Sequence, residues 1–382
     1  MWFLQADIFL RMLIACAAFA VLGWILRRSG RQAKLSPWLI AADLALFWYV
    51  SRRLAVFYAL YALITWGFIA FLEAYKGRGR KYLFAALCFG CAVPVFIARF
   101  WEAFPQCPAL VAMVGISYTM LKAVDGLYYT YYTGEHVPLI KYANYLLFFP
   151  VITAGPIMRY RDFARNYDAP QPVTAEVSVT CAKRMILGLF KKVVAYELVI
   201  LVFRRLLEFE SAFYVSFAVA AVSWLLLWLD MSGYADVAIA LGGILGYTVP
   251  ENFKTPLKAG SMTQYWRNWH VTLGDWIREH VFIIVSGRRL SKWAGAAIGF
   301  GSMLFMGLWH GFHWIYVIYG CLNGVLIAFE NLAGLTTVSR RAKKPYKIFR
   351  CAVANFIFAI NTLFFTLSPE QLVAVLRGFP KV

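Results

Sequence analysis

The sequence predicts an all-α integral membrane protein, and three observations predict it. Of the 382 residues, 62% are hydrophobic and only 15% charged, against about 25% charged in ordinary soluble domains. Apolar stretches recur from Trp2 to about Leu367 with no long polar block between them, which leaves no room for a separate soluble domain of about 100 residues. The basic residues fall in short clusters between the apolar runs, as the positive-inside pattern of membrane loops requires. At about 20 residues per span plus connections, the length accommodates roughly 9 to 12 membrane-inserted helices. A single anchor is excluded.

The first apolar run, 8–26, has no basic region before it and is followed by Arg27, Arg28, Arg31 and Lys34. It therefore reads as an uncleaved first span with the N-terminus outside, not as a signal peptide. Further candidate spans are 36–50, 54–73, 83–99 and 108–122. The run 36–50 is short for a full crossing and carries Asp43, which predicts a tilted helix or one packed inside protein. Later basic clusters are Lys76, Arg78, Arg80 and Lys81; Lys183, Arg184, Lys191 and Lys192; and Arg340, Arg341, Lys343, Lys344 and Lys347. Loops held at an anionic leaflet, at about 1 kcal/mol per basic residue near the surface, account for the net charge of +19 without nucleic acid; docking of an acidic cytosolic partner is a secondary use. The seven cysteines show no paired metal spacing, so neither disulfides nor zinc are expected. No internal or inverted repeat of the transporter kind is visible.

The texture changes after Asp125. Tyr128, Tyr129, Tyr131 and Tyr132 are followed by LLFFPVITAGPIMRYRDF, where Pro150, Gly155 and Pro156 interrupt an apolar run. Helix cannot pass smoothly through it, and broken backbone at membrane depth belongs inside protein or along a cavity; an ordinary interfacial turn is the alternative. Its basic end, Arg159, Tyr160 and Arg161, is expected at a water interface. A further span, 212–230, runs into DMSGYADVAIALGGILGY. Asp230 and Asp236 would each cost about 2.5 to 3.5 kcal/mol at mid-membrane, so they are expected to face a partner, a polar cavity or the interface. Ser232, Gly233, Ala235, Gly242 and Gly243 permit close helix approach.

Five histidines exist: His136, His270, His280, His310 and His313. His270 lies in NFKTPLKAGSMTQYWRNWHVTLGDWIREHVF, among Trp266, Arg267, Trp269, Asp275, Trp276 and Arg278; the segment is too polar to span freely and predicts a re-entrant or interfacial helix pair. His310 stands in an otherwise apolar stretch, GFGSMLFMGLWHGFHWIYVIYGCLNGVLIAFEN. An intramembrane ionisable residue is a functional-site hypothesis, weighed against a histidine satisfied by a neighbouring carbonyl or hydroxyl. Apolar surroundings hold an imidazole in its neutral form, the form a general base requires. Gly307 and Gly311, one turn apart, open that face either to a substrate or to a tightly packed helix. His313, three residues on, would share a helix face with His310, but the pair lacks an HExxH pattern and Glu330 lies about five turns away, so a metal site is not expected. No GxSxG elbow, GxxxxGK loop or GxGxxG fingerprint occurs.

The segment YWRNWHVTLGDWIRE followed by GLWHGFHWIYVIYGCLNG resembles the membrane-bound O-acyltransferases, and FFPVITAGPIMRYRDF and DMSGYADVAIALG with VPENFKTP are similar to the bacterial branch of that family. The resemblance covers about 144–330. Within the branch, the length, the LWHGxxWxYxxYG pattern and VFIIVSGRRLSK look most like the DltB group, which transfers D-alanine to teichoic acids, whereas SGYADVAIALG and RYRDF read closer to the AlgI group of polysaccharide and peptidoglycan O-acetyltransferases. His313 departs from both groups.

The resemblance implies a single membrane domain over 1–382: peripheral helices in 1–122, a catalytic core in 123–335, and a C-terminal helix and tail in 336–382, with re-entrant helices around a central tunnel. It implies His310 as the catalytic histidine and His270 as the second family histidine on the cytosolic side. Asp275 and Arg278 would shape the donor entrance, and Trp266, Arg267, Trp269, Trp309, Asn252 and Tyr234 would line the passage, although core packing is the commoner task of such tryptophans. It further implies no metal and no cofactor bound by the chain itself. The donor would be a phosphopantetheine thioester on a DltC-like D-alanyl carrier protein at the cytosolic face, and the acceptor an extracytoplasmic polymer or an accessory transferase. The setting would be a bacterial cell membrane. Two other classes compete on residues alone: a transporter whose intramembrane His and Asp relay protons or bind a solute, and a scaffold in which His310 only packs.

Overall fold

The computed structural model describes residues 36–103, 115–210, 212–282, 291–339 and 341–378, with Arg11, Ile14, Ala18 and Val21 besides. The rest of the expected first span 8–26, its basic residues Arg27, Arg28, Arg31 and Lys34, positions 108–114 of the span 108–122, most of VFIIVSGRRLSK, and Cys16, Cys107 and Arg340 lie outside the described residues. Every described element is a helix. The chain divides into two compact units, Met1–Ile186 with Ala235–Pro250, and Leu187–Tyr234 with Glu251–Val382.

In the first unit, α1 (Ser36–Val50) and α2 (Arg52–Ala74) are separated by one extended residue, Ser51, and α3 spans Arg80–Ala103. Fifteen residues at about 1.5 Å each fall short of a hydrocarbon core of about 30 Å, so α1 does not cross alone. Its Asp43 is fully buried and accepts from the Phe149 N–H at 3.3 Å, as a helix packed inside protein requires. Next come α4 (Ile116–Thr133), α5 (Leu139–Leu147), a 3₁₀ turn at Phe149–Val151 and α6 (Tyr160–Asp168).

Chain between α5 and α6 is irregular, as Pro150, Gly155 and Pro156 predict, and buried side chains hold its freed backbone groups. Lys122 of α4 donates to the Leu146 carbonyl at 2.9 Å, and Asp125 accepts from the Tyr160 N–H at 2.6 Å and from the Tyr145 hydroxyl at 3.1 Å. Phe148, Phe149, Val151 and Ile152 are buried, which favours burial within protein over an interfacial turn. A glycine is required at 115: its φ is +84°, and an added Cβ would lie 2.3 Å from the Ile152 carbonyl oxygen. The expected water-facing end is reached by Arg161 alone, since Tyr160 is buried and Arg159 sits 3.9 Å from Asp125.

Two long helices are shared by the units: α7 (Ala175–Leu189), continued by a π-helical turn Phe190–Ala195 and α8 (Tyr196–Leu206), and α9 (Phe213–Ile244). The basic cluster at 183–192 therefore lies on helix, not in a loop. Two of its members meet the acids of α9: Arg184 pairs with Asp236 at 3.0 Å in the first unit, and Lys192 pairs with Asp230 in the second. With both acids paired, α9 runs for 32 residues, past the end expected at 230.

The second unit continues with the short helices α10 (Met262–Trp266) and α11 (Val271–Ile277), the predicted pair too short to span. It ends with α12 (Lys292–His310), α13 (Trp314–Leu332), α14 (Lys344–Thr366) and α15 (Pro369–Arg377). Helices α12 and α13 approach closely through small residues: a Cβ on Gly307 would lie 2.3 Å from the Tyr316 carbonyl oxygen, and one on Gly320 would lie 2.8 Å from that of Met303. Of the two readings of Gly307, packing holds. A core of Val219, Leu226, Ile315, Tyr319, Leu363 and Leu372 joins α9, α13, α14 and α15. Among the described residues five helices are long and apolar enough to cross a membrane: α2, α3 over Arg80–Phe100, α9, α13 and α14. The molecule is an all-α, multi-pass membrane protein.

Candidate active site

The polar segment before His270 is held by a local cap and by a carboxylate from a distant helix. Ser261 caps α10 by accepting from the Gln264 N–H at 3.0 Å. Glu330 of α13 accepts from the N–H groups of Met262 and Thr263 at 2.7 and 2.8 Å, a carboxylate at the end of a helix where amides are unsatisfied. At α11 the capping is done from outside. Asn252 accepts from the Val271 N–H through its carbonyl at 2.9 Å, and from the Thr272 hydroxyl through Oδ1 at 2.8 Å.

His270, the residue at the start of α11, makes no side-chain cap. Its backbone is left-handed, with φ +47°, the one non-glycine residue of positive φ among the described residues. Such a conformation is rare outside glycine and costs on the order of 1 to 3 kcal/mol, a strain that gathers at functional sites. The imidazole is buried, and burial pushes its pKa down to about 4, so it is neutral at ordinary pH.

His310 is the last residue of α12. Gly311, in extended backbone, ends the helix, and His313 begins α13 as its N-cap, accepting from the Ile315 N–H at 3.4 Å. The expectation that His310 and His313 share a helix face is thus corrected: the glycine breaks the helix between them, and His313 is exposed. Among the described residues no three His, Cys, Asp or Glu side chains gather to hold a metal. Aromatic rings enclose His310: Phe365 at 4.9 Å between centroids, Trp309 at 5.0 Å, Tyr316 at 6.1 Å and Tyr319 at 6.4 Å.

These two histidines, forty positions apart, open onto one cavity within the second unit. Trp266, Trp269 and Leu273 contribute from the α10–α11 segment, Leu227 and Met231 from α9, Met306 from α12, Tyr319 from α13, and Phe358, Asn361, Thr362 and Phe365 from α14. Trp266 and Trp269 pack on Phe358 at 5.4 and 4.8 Å, and the Trp266 indole N–H is buried without a hydrogen-bond partner among the described residues. The chemical inventory is two imidazoles, one amide, two hydroxyls and two indoles inside an otherwise aromatic and apolar wall. That inventory suits proton transfer at a substrate oxygen with water largely excluded.

Other expected site residues fall elsewhere. Asn252 holds the start of α11 and so positions His270 without lining the cavity. Trp309 and Tyr234 are buried off the wall. Arg267 is exposed, and Asp275 and Arg278 pair with each other one turn apart near the surface. Asn361 and Tyr319 are wall residues that sequence reasoning passed over. Asn361 carried a usable signal, a lone amide in the apolar run FAINTLFF.

The profile of the MBOAT, membrane-bound O-acyltransferase family matches residues 43–368. A probable alginate O-acetylase AlgI of Pseudomonas syringae pv. tomato is 31% identical over 66% of this chain and 48% of its own length. A teichoic acid D-alanyltransferase of Bacillus subtilis is 28% identical over 68% of this chain and 70% of its own. A peptidoglycan O-acetyltransferase of Helicobacter pylori is 24% identical over 94% of this chain and 76% of its own. The chain spans about half the length of the alginate O-acetylase relatives it matches.

Proposed function

The chain belongs to the membrane-bound O-acyltransferase family, and from that premise we propose that it moves D-alanine from a thioester-charged carrier protein to hydroxyls of teichoic acid or a similar polymer outside a bacterial cell membrane. The observation that carries the reading is the convergence of His270 and His310 on one apolar cavity. A thioester is already reactive, so the enzyme has to position it, keep water away and deprotonate the attacking hydroxyl.

In this reading His310 takes the hydroxyl proton. The oxygen attacks the thioester carbon, the C–O bond forms as the C–S bond breaks, and the thiolate leaves with the proton held by His310. Trp266 lines the cavity and its N–H is buried without a partner among the described residues, so a small turn of the indole would let it donate to the carbonyl oxygen as charge develops there. His270, neutral and fixed by its own backbone, orients the donor arm. Basic surface near the donor entrance suits an acidic carrier protein and speeds encounter.

A second reading, O-acetylation of an extracytoplasmic polysaccharide or peptidoglycan, is favoured by the 31% identity to the alginate relative and by the 94% coverage of this chain by the peptidoglycan relative. Both readings use the same histidine. A vesicle assay separates them: D-alanyl carrier protein and acetyl-CoA are offered separately, and label is followed on the outer polymer. His310→Ala is expected to lose transfer by about 10²- to 10⁴-fold, the usual worth of a positioned base, with insertion unchanged. Transfer that survives this substitution sinks both readings, and label from acetyl-CoA alone selects the second.

A further inference from the structure

The cavity presents one polar group whose orientation is fixed from behind. On α13, Asn323 donates its Nδ2 to the Tyr319 carbonyl, four residues back, at 3.0 Å. A backbone carbonyl only accepts, so this bond settles which end of the Asn323 amide is which and turns its Oδ1 toward α14. There it accepts from Nδ2 of Asn361 at 2.9 Å. The second bond orients Asn361 in turn and leaves its own Oδ1 as an acceptor with no partner among the described residues. Both amides are buried, yet Asn361 lines the cavity that the two histidines share. A chain of hydrogen-bond polarity thus starts at a helix carbonyl and ends at an acceptor on the cavity wall.

What such an acceptor recognises follows from its surroundings. The wall around it carries the rings of Trp266, Tyr319, Phe358 and Phe365, the two imidazoles and the Thr362 hydroxyl, and among the described residues no Asp, Glu, Lys or Arg. Aromatic rings beside a neutral, preoriented amide oxygen make a site for a small ammonium group, held by cation–π attraction and a charge-assisted hydrogen bond. A simple acetyl group has no donor and would leave the Asn361 oxygen desolvated and unpaired, which a preoriented polar site resists. We propose that Asn361 reads the α-ammonium of an aminoacyl donor and selects it over simple acyl donors, with Asn323 as the positioning residue behind it. The proposal rests on the acyl-transfer reading above and names the donor class that site takes.

The test compares two donors of matched shape on the full chain in proteoliposomes. Carrier protein is loaded with a D-alanyl or an isobutyryl phosphopantetheine thioester, in which a methyl replaces the amine, and release of the carrier thiol is followed with lipoteichoic acid as acceptor. The wild type is expected to favour D-alanyl by at least about 10-fold in kcat/KM. Asn361→Leu is expected to lower the D-alanyl value about 10- to 100-fold, the loss of one hydrogen bond to a charged group, while the isobutyryl value stays within about 3-fold. Asn323→Leu, which leaves Asn361 in place with its amide unlocked, shifts the preference the same way by a smaller factor. A wild type that uses both donors equally overturns the proposal without any variant, and so does an Asn361→Leu enzyme slowed alike on both. His310→Ala in the same assay keeps the two ideas apart: transfer that depends on His310 but ignores the amine defeats only the role of Asn361, whereas transfer that ignores His310 defeats the acyltransferase reading itself.

Discussion

His270 joins two features that are rarely found together, a left-handed backbone and a buried imidazole. If strain is the reason for its cost, glycine there should be better tolerated than alanine, because only glycine adopts that backbone without penalty. His270→Gly is expected to be about 1 kcal/mol more stable than His270→Ala in detergent melting, with acyl transfer lost in both; equal stabilities would remove strain from the account. Burial of the same ring gives stability a pH dependence. With its pKa lowered from 6.5 to about 4, the folded state resists a proton that the unfolded chain accepts, so stability is full above pH 6.5, declines as pH falls toward 4 and levels off below. The size is on the order of 3 kcal/mol, and a pH series of melting temperatures should show the decline in the wild type and not in His270→Gln. Both histidines were legible because a polar residue in apolar or mixed surroundings asks for a reason. The backbone of His270 was not legible, since the start of α11 that follows it is held by Asn252, a residue 18 positions upstream that takes bonds from Val271 and Thr272. Nor was the role of Asn361, because the amide that orients it lies 38 positions away.

At the scale of elements, hydropathy and helix breakers predicted the short α1, the interrupted chain between α5 and α6, and the pair α10 and α11. Two features escaped it for one reason, pairing at a distance. The α9 helix runs on past Asp230 with Lys192 and Arg184 paired to Asp230 and Asp236, and the same ion pairs draw on a basic cluster that lies on helix where sequence alone puts it in a loop. The break after His310 escaped because one glycine in an apolar stretch reads equally as packing or as a stop. The close approach of α12 and α13 carries its own prediction. Gly307→Ala forces a Cβ against the Tyr316 carbonyl oxygen and is expected to destabilise by about 1 to 3 kcal/mol, as overpacking does. Gly301 of the same helix meets nothing within 4 Å, so Gly301→Ala should be neutral or stabilising by up to about 1 kcal/mol through helix propensity. Similar melting temperatures for the two variants would mean that the seam is not where α12 and α13 are held.

For the whole molecule, the surplus of 38 Lys and Arg over 19 Asp and Glu divides between internal pairing and surface display. Arg184 and Lys192 are occupied within the units, whereas Arg341, Lys343 and Lys344 are exposed just before or at the start of α14. Arg350, two turns into that helix, donates to the carbonyls of Gly260 and Leu335 at 2.9 and 2.7 Å, and Ser261 donates to the Thr336 carbonyl at 2.7 Å. These bonds tie the basic end of α14 to the segment that leads through α10 to His270. An acidic carrier docked on Arg341, Lys343 and Lys344 would therefore deliver its thioester arm beside the polar segment that opens on the cavity. Attraction of this kind is screened as the Debye length falls from about 10 Å at 0.1 M salt to about 3 Å at 1 M. KM for the carrier is accordingly expected to rise steeply with salt while kcat changes little, since rim charges govern encounter more than the bound state. Lys343→Glu with Lys344→Glu should raise KM several-fold at low salt and flatten its salt dependence, and a wild-type KM that ignores salt would place the donor's approach on another face.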